Sequence, residues 1–157
     1  MHPITRILCP VDLSPASNLA LDYAERLARA CGARLVIVHA FETPASYNVE
    51  GQTRPADPEL SRQFEEFSRV ENLEVERVLH AGEPGDVICW VAMDRHCDLI
   101  VMGTHGRTGL LHLLMGSVAE SVVRHARCPV LTIRDQKGNE PAPIEPLVIP
   151  LPAPRYM

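Results

Sequence analysis

At 157 residues, with 46% hydrophobic and 22% charged side chains, the chain has the size and composition of one domain with a sizeable core. A formal net charge of -5 with no basic stripe argues against a nucleic-acid surface. No apolar run approaches the roughly 20 residues needed to cross a bilayer, and Met1-His2-Pro3 starts no signal peptide. The five cysteines form no Cys-x-x-Cys pair, and four of them sit in apolar segments. They read as reduced, mostly buried thiols of a cytoplasmic protein.

Residues 5–11 form an apolar run ending at Asp12, expected to be a first, central strand. Ser14 can cap the next helix, with Pro15 at its first position. Ala16, Leu19, Ala20, Tyr23, Ala24, Leu27, Ala28 and Cys31 then recur at helical spacing until Gly32 stops the helix. Residues 35–40 read as a second buried strand, parallel to the first across this crossover. Residues 41–57 are polar and irregular. A second helix is expected from Asp57-Pro58 to about Glu71, with Leu60, Phe64 and Phe67 on one face. Residues 73–80 alternate like a less buried strand near a sheet edge. A third helix, about 84–95, should bury Val87, Ile88, Val91 and Ala92. Residues 99–102 are a fourth strand, residues 117 to about 126 a helix, and residues 129–133 a last strand. Five strands alternating with four helices give an α/β doubly wound sheet.

The most distinctive stretch follows the fourth strand. The chain breaks at once into Gly103 and Gly106, and resumes as a helix after Gly116-Ser117, a spacing of Gly103-x2-Gly106-x9-Gly116-Ser117. Strand, glycine-rich loop and helix together can hold a phosphate. Glycines let exposed backbone N–H groups approach the anion, and the helix start adds its positive dipole end. The pattern is neither the Walker loop nor Gly-x-Gly-x-x-Gly.

At these residues the chain resembles the universal stress protein family, in its nucleotide-binding branch. The opening Ile-Leu-Cys-Pro-Val-Asp-Leu-Ser (7–14) and the closing Cys-Pro-Val-Leu-Thr-Ile-Arg (128–134) resemble that family in the same order. The resemblance implies a parallel five-stranded sheet of order 3-2-1-4-5, Rossmann-like and of the adenine-nucleotide alpha-hydrolase type, spanning residues 1–134. Asp12 and Gly103 would then meet at the point where strand order reverses, which is where such sheets bind ligands. It also implies an ATP site with Mg2+, made by Pro10, Val11, Asp12, Ala40, Met102, Gly103, Gly106, Arg107, Gly116, Ser117 and Val118. Mg2+ would arrive with the phosphates, held through waters or Asp12.

Several of these residues carry two readings. Asp12 suits a ribose hydroxyl or a turn beside Ser14. Ser117 suits a phosphate, or a capping box with Glu120 that satisfies the helix's own N–H groups. Ala40 and Met102 serve as core or as an apolar floor for adenine, and His105 and Arg107 as solvated or phosphate-touching side chains. His39 reads as a buried, hydrogen-bonded histidine. No protein-only metal site has the right ligand spacing.

The leading function is an adenine-nucleotide switch or binding module of stress physiology. A slow ATP hydrolase or adenylylating enzyme using His105, and a nucleotide-free scaffold, stand as alternatives. A phospho-receiver does not fit, because Asp12 lacks a second acidic partner. The strand Val130–Ile133 falls at a sheet edge without charge, so pairing with a second copy into a homodimer is expected, as the resemblance also implies. Residues 135–157 hold six prolines and read as a tail, solvated or packed on a partner.

Overall fold

The computed structural model describes residues 3–42, 56–104 and 115–134. Its strands are β1 (Arg6–Pro10), β2 (Arg34–Phe41), β3 (Val75–Ala81), β4 (Leu99–Gly103) and β5 (Val130–Ile133). Between them run α1 (Pro15–Cys31), α2 (Pro58–Phe67), α3 (Pro84–Asp94) and α4 (Ser117–His125). All four strand pairings are parallel and the order is β3-β2-β1-β4-β5. This is the doubly wound sheet expected from the alternation of elements.

The apolar runs explain which strands are central. Ile7, Leu8, Cys9, Leu35, Val36, Ile37, Ile100 and Val101 have no exposed surface, because β1, β2 and β4 carry helices on both faces. Alternation along each strand splits the core into two layers. Ile7, Cys9, Leu35 and Ile37 face α1 and Phe64 of α2, while Leu8, Val36, Val38 and Ile100 face α3 and α4. The edge strands are less covered, and Leu131 of β5 is 41% exposed.

Local signals act as their chemistry requires. The Ser14 hydroxyl accepts from the Ser17 amide to cap α1, and Gly32 closes that helix at φ +66, where a side chain would be strained. Asp57 caps α2 by accepting from the Glu59 amide, and Glu83 caps α3 by accepting from Asp86.

Three expectations need correction. The buried stripe of α1 is Ser17, Ala20, Leu21, Ala24 and Ala28, whereas Tyr23 and Cys31 are exposed. Small side chains face the sheet, so the helix lies close to it and the large ring turns outward. Second, α2 ends at Phe67 rather than near Glu71. Arg77 of β3 donates to both the hydroxyl (2.9 Å) and the carbonyl (2.8 Å) of buried Ser68, which terminates the helix there. Third, β3 begins at Val75, because the turn before it needs Asn72 at φ +54. The cysteines are all free; Cys9 and Cys97 are buried, Cys89 and Cys128 half-buried, and Cys31 is exposed. Burial pushes the Cys97 thiol up to about 12, leaving it protonated and unreactive at neutral pH.

Candidate functional site

Strand order reverses between β1 and β4. From β1 the chain proceeds to β2 and β3 on one side, then α3 returns it to β4 on the other. The connections diverge at the carboxyl ends of β1 and β4, opening a cavity of about 640 Å3. That volume falls within the usual range for small-molecule sites.

Its β1 wall is Pro10, Val11 and Asp12. Immediately afterwards Leu13 adopts φ +64, a conformation that costs a non-glycine residue energy and turns the chain sharply at the rim. Asp12 Oδ1 accepts from both the amide and the hydroxyl of Ser14. The Asp12 amide in turn donates to the Ser17 hydroxyl at 3.3 Å, which itself donates to the Ser14 carbonyl at 3.0 Å. The turn reading of Asp12 is therefore realised, and the carboxylate still lines the cavity.

The second wall comes from β2. The Val11 amide donates to the Val38 carbonyl at 2.8 Å, and His39 Nδ1 bonds the Val11 carbonyl at 2.7 Å. His39 is buried and bonded, as its sequence context suggests, and it also lines the cavity beside Ala40. Ala40 and Met102 lie on the α3–α4 face of the sheet. With Ile88 and Val118 they form an apolar floor.

The third wall is the start of α4. The N-cap residue is Gly116, at φ -75 and ψ 160, and no side chain caps the helix. Ser117 is thus the first helical residue, one position too far along for a capping box with Glu120. The box is absent because Gly116, not Ser117, takes the extended conformation that an N-cap needs. First-turn amides, which no intrahelical carbonyl reaches, border the cavity at Ser117, Val118 and Ala119. Two backbone bonds fix this end: Gly116 donates to the Thr104 carbonyl at 2.7 Å, and Thr104 donates to Ile133 of β5 at 3.0 Å.

Of the expected site residues, Pro10, Val11, Asp12, Ala40, Met102, Gly103, Gly116, Ser117 and Val118 all border this one cavity. Gly106 and Arg107, like His105, lie outside the described residues. Thr104, which the sequence places on the phosphate loop beside Gly103, lines the cavity, whereas sequence reasoning missed Ser17 and Glu42 as lining residues. The signal available for Ser17 was a polar residue inside an apolar helical stripe. Glu42 directly follows a strand end at the cavity.

The electrostatics are uneven. Asp12 and Glu42 bring negative charge, and among the described residues no lysine or arginine lines the cavity. Positive potential comes from the uncapped end of α4. An apolar floor joined to a row of backbone donors can bind a flat ring attached to an anion. Among the described residues no three ligand-type side chains converge on a metal position. Likewise, no helix among them is long and apolar enough to cross a membrane.

Comparison with known proteins agrees with this geometry. The profile of the Universal stress protein family matches residues 3–134. A universal stress protein of Thermus aquaticus is 36% identical over 136 residues, covering 82% of this chain and 97% of the relative. The solved structure of a universal stress protein family member from Burkholderia pseudomallei has a TM-score of 0.58 and 30% identity, covering 85% of this chain and 98% of that one. The Archaeoglobus fulgidus universal stress protein in complex with dAMP has a TM-score of 0.58 at 27% identity, covering 83% and 98%. The chain belongs to the universal stress protein family.

Proposed function

We propose that this protein binds ATP with Mg2+ and acts as a nucleotide-dependent switch in a cytoplasmic stress response. The observation that carries this reading is the meeting, in one cavity, of the Ala40–Met102 floor with the uncapped start of α4. Adenine would lie on the floor, Asp12 would accept from the ribose, and the phosphates would face Gly103, Gly116, Ser117 and Val118. Gly106 and Arg107 complete the phosphate loop in this reading. The Archaeoglobus relative, captured with dAMP, supports an adenine nucleotide as the ligand class. Mg2+ comes with the phosphates in this reading, held through waters or Asp12.

The edge strand β5 supports a homodimer. Parallel pairing turns the Pro129 and Ile133 carbonyls toward β4, where the Ile100 and Thr104 amides reach them. Alternation leaves Val130 and Thr132 with their backbone groups facing outward, which an antiparallel copy could pair. Residues 135–157, the proline-rich tail of this reading, lie outside the described residues.

Acid release of nucleotide from purified protein, read by mass spectrometry, tests the ligand. Titration should show ATP bound more tightly than GTP, since the base would lie against Ala40 and Met102 and be read by backbone groups. Equal affinity, or none, rejects the site as drawn. ATP turnover should stay far below the roughly 10 per second of a median enzyme.

A further inference from the structure

His39 does more than a core histidine needs to do. The residue is only 6% exposed, and its ring lies 6.1 Å from the Phe64 ring, centroid to centroid. Nδ1 sits 2.7 Å from the Val11 carbonyl oxygen, which can only accept, so Nδ1 carries the proton. In the neutral imidazole Nε2 is then a bare acceptor. No described residue bonds Nε2, yet no fully buried side-chain nitrogen or oxygen among the described residues is left unpaired. Nε2 is therefore open to solvent, and the space that His39 lines is the cavity. Satisfying Val11 requires one donor. It does not account for a second polar atom directed into a ligand site from an otherwise enclosed ring.

Position decides what Nε2 would meet. Strand alternation puts His39 on the opposite face from Ala40, and the ring is tied to Val11, next to Asp12. Nε2 thus opens on the sugar side of the cavity, away from the apolar floor that suits a base. A nucleotide offers two hydroxyl donors on that side.

We propose that His39 is a ligand-recognition residue whose Nε2 accepts a hydrogen bond from a ribose hydroxyl of the bound nucleotide. This rests on the reading of the cavity as a nucleotide site, and it adds selection for ribonucleotides over deoxy forms.

The test is titration of the full-length protein with ATP, 2′-deoxy-ATP and 3′-deoxy-ATP, for wild type and His39→Asn. Asparagine can still donate to Val11 from the Nδ1 position but has no atom at Nε2. In His39→Asn, preference for ATP over one of the two analogues should fall about tenfold, the size of one neutral hydrogen bond. Preference unchanged in a folded His39→Asn overturns the proposal while leaving the nucleotide site standing. Absence of ATP binding by the wild type overturns both. Should His39→Asn not fold, nitrogen NMR of the wild-type ring decides. The Nε2 resonance should shift with ATP and not with the analogue lacking the contacted hydroxyl; the same shift with all three nucleotides overturns the proposal.

Discussion

The two ends of the sheet are built differently. At the amino ends of the strands, long charged side chains reach across elements to backbone. Asp98 Oδ2 accepts from the Thr5 amide (2.7 Å), the Thr5 hydroxyl (2.9 Å) and the Arg6 amide (2.9 Å). Arg6 donates to the Arg95 carbonyl at 2.7 Å, and Arg29 to the carbonyls of Glu71 (2.6 Å) and Asn72 (3.1 Å). Ion pairs Arg34–Glu74 and Arg95–Glu76 lie at the same end. At the carboxyl ends the links run instead through small side chains and backbone, among them Ser14, Ser17, Thr104 and Gly116. Holding the sheet from one end lets the other keep helix amides uncapped and an imidazole nitrogen open. A site of backbone donors needs that division, because any long side chain near it would satisfy those donors first.

The sharpest way to break this contrast is Ser117→Asp, which puts a carboxylate on the first turn of α4. It should weaken ATP binding more than 100-fold by meeting the phosphates with like charge. The same charge is favourable at a helix start by about 0.3–1 kcal/mol, so the thermal midpoint should hold or rise. Titration calorimetry and thermal unfolding together read both effects. If binding survives, the phosphates do not lie at α4.

A smaller effect is expected at β5, where the cavity end meets the proposed dimer edge. Thr132 points its backbone outward, so Thr132→Pro removes an edge donor without cutting the β4–β5 ladder. Light scattering should show a wild-type dimer, kept when residues 136–157 are deleted, and a folded Thr132→Pro monomer. A monomeric wild type, or a Thr132→Pro variant that stays a folded dimer, removes β5 as the interface.

Much of this was legible in the chain because strands and caps are local. Four apolar residues before Gly103 announce β4, and Ser14-Pro15 to Gly32 brackets α1 to the residue. The strand order was not local; it came with the resemblance carried by residues 7–14, 103–117 and 128–134. What stayed hidden depends on register. Nothing in sequence places His39 against Val11, since that contact exists only because Val38 pairs with Pro10 across β1 and β2. The capping box failed for a related reason. Whether Gly116 or Ser117 starts the helix is set by the Gly116–Thr104 bond, which belongs to the cavity and not to the helix.

The mildest change tests the other half of the comparison. Desolvation pushes the Asp98 carboxyl up, but the Thr5 and Arg6 amides and the Thr5 hydroxyl outweigh it and hold it below the usual aspartate range. A carboxylate depressed on folding stabilises the native state above its unfolded titration range. That contribution is lost as pH falls through the lower folded value, because the protonated form accepts the three bonds less well. Asp98→Asn keeps one acceptor oxygen and removes the charge. It should therefore cost roughly 1–2 kcal/mol at pH 7, a hydrogen bond to a charged group discounted for solvent exposure. In urea titrations between pH 7 and pH 2, wild type should lose more stability than Asp98→Asn, so that the two curves converge in acid. Affinity for ATP at pH 7 should not change, since Asp98 sits at the opposite end of β4 from the cavity. Curves that stay parallel would show that Asp98 is not the titrating pin. An equal loss of ATP affinity would show that the two ends of the sheet are coupled, contrary to the division drawn between them.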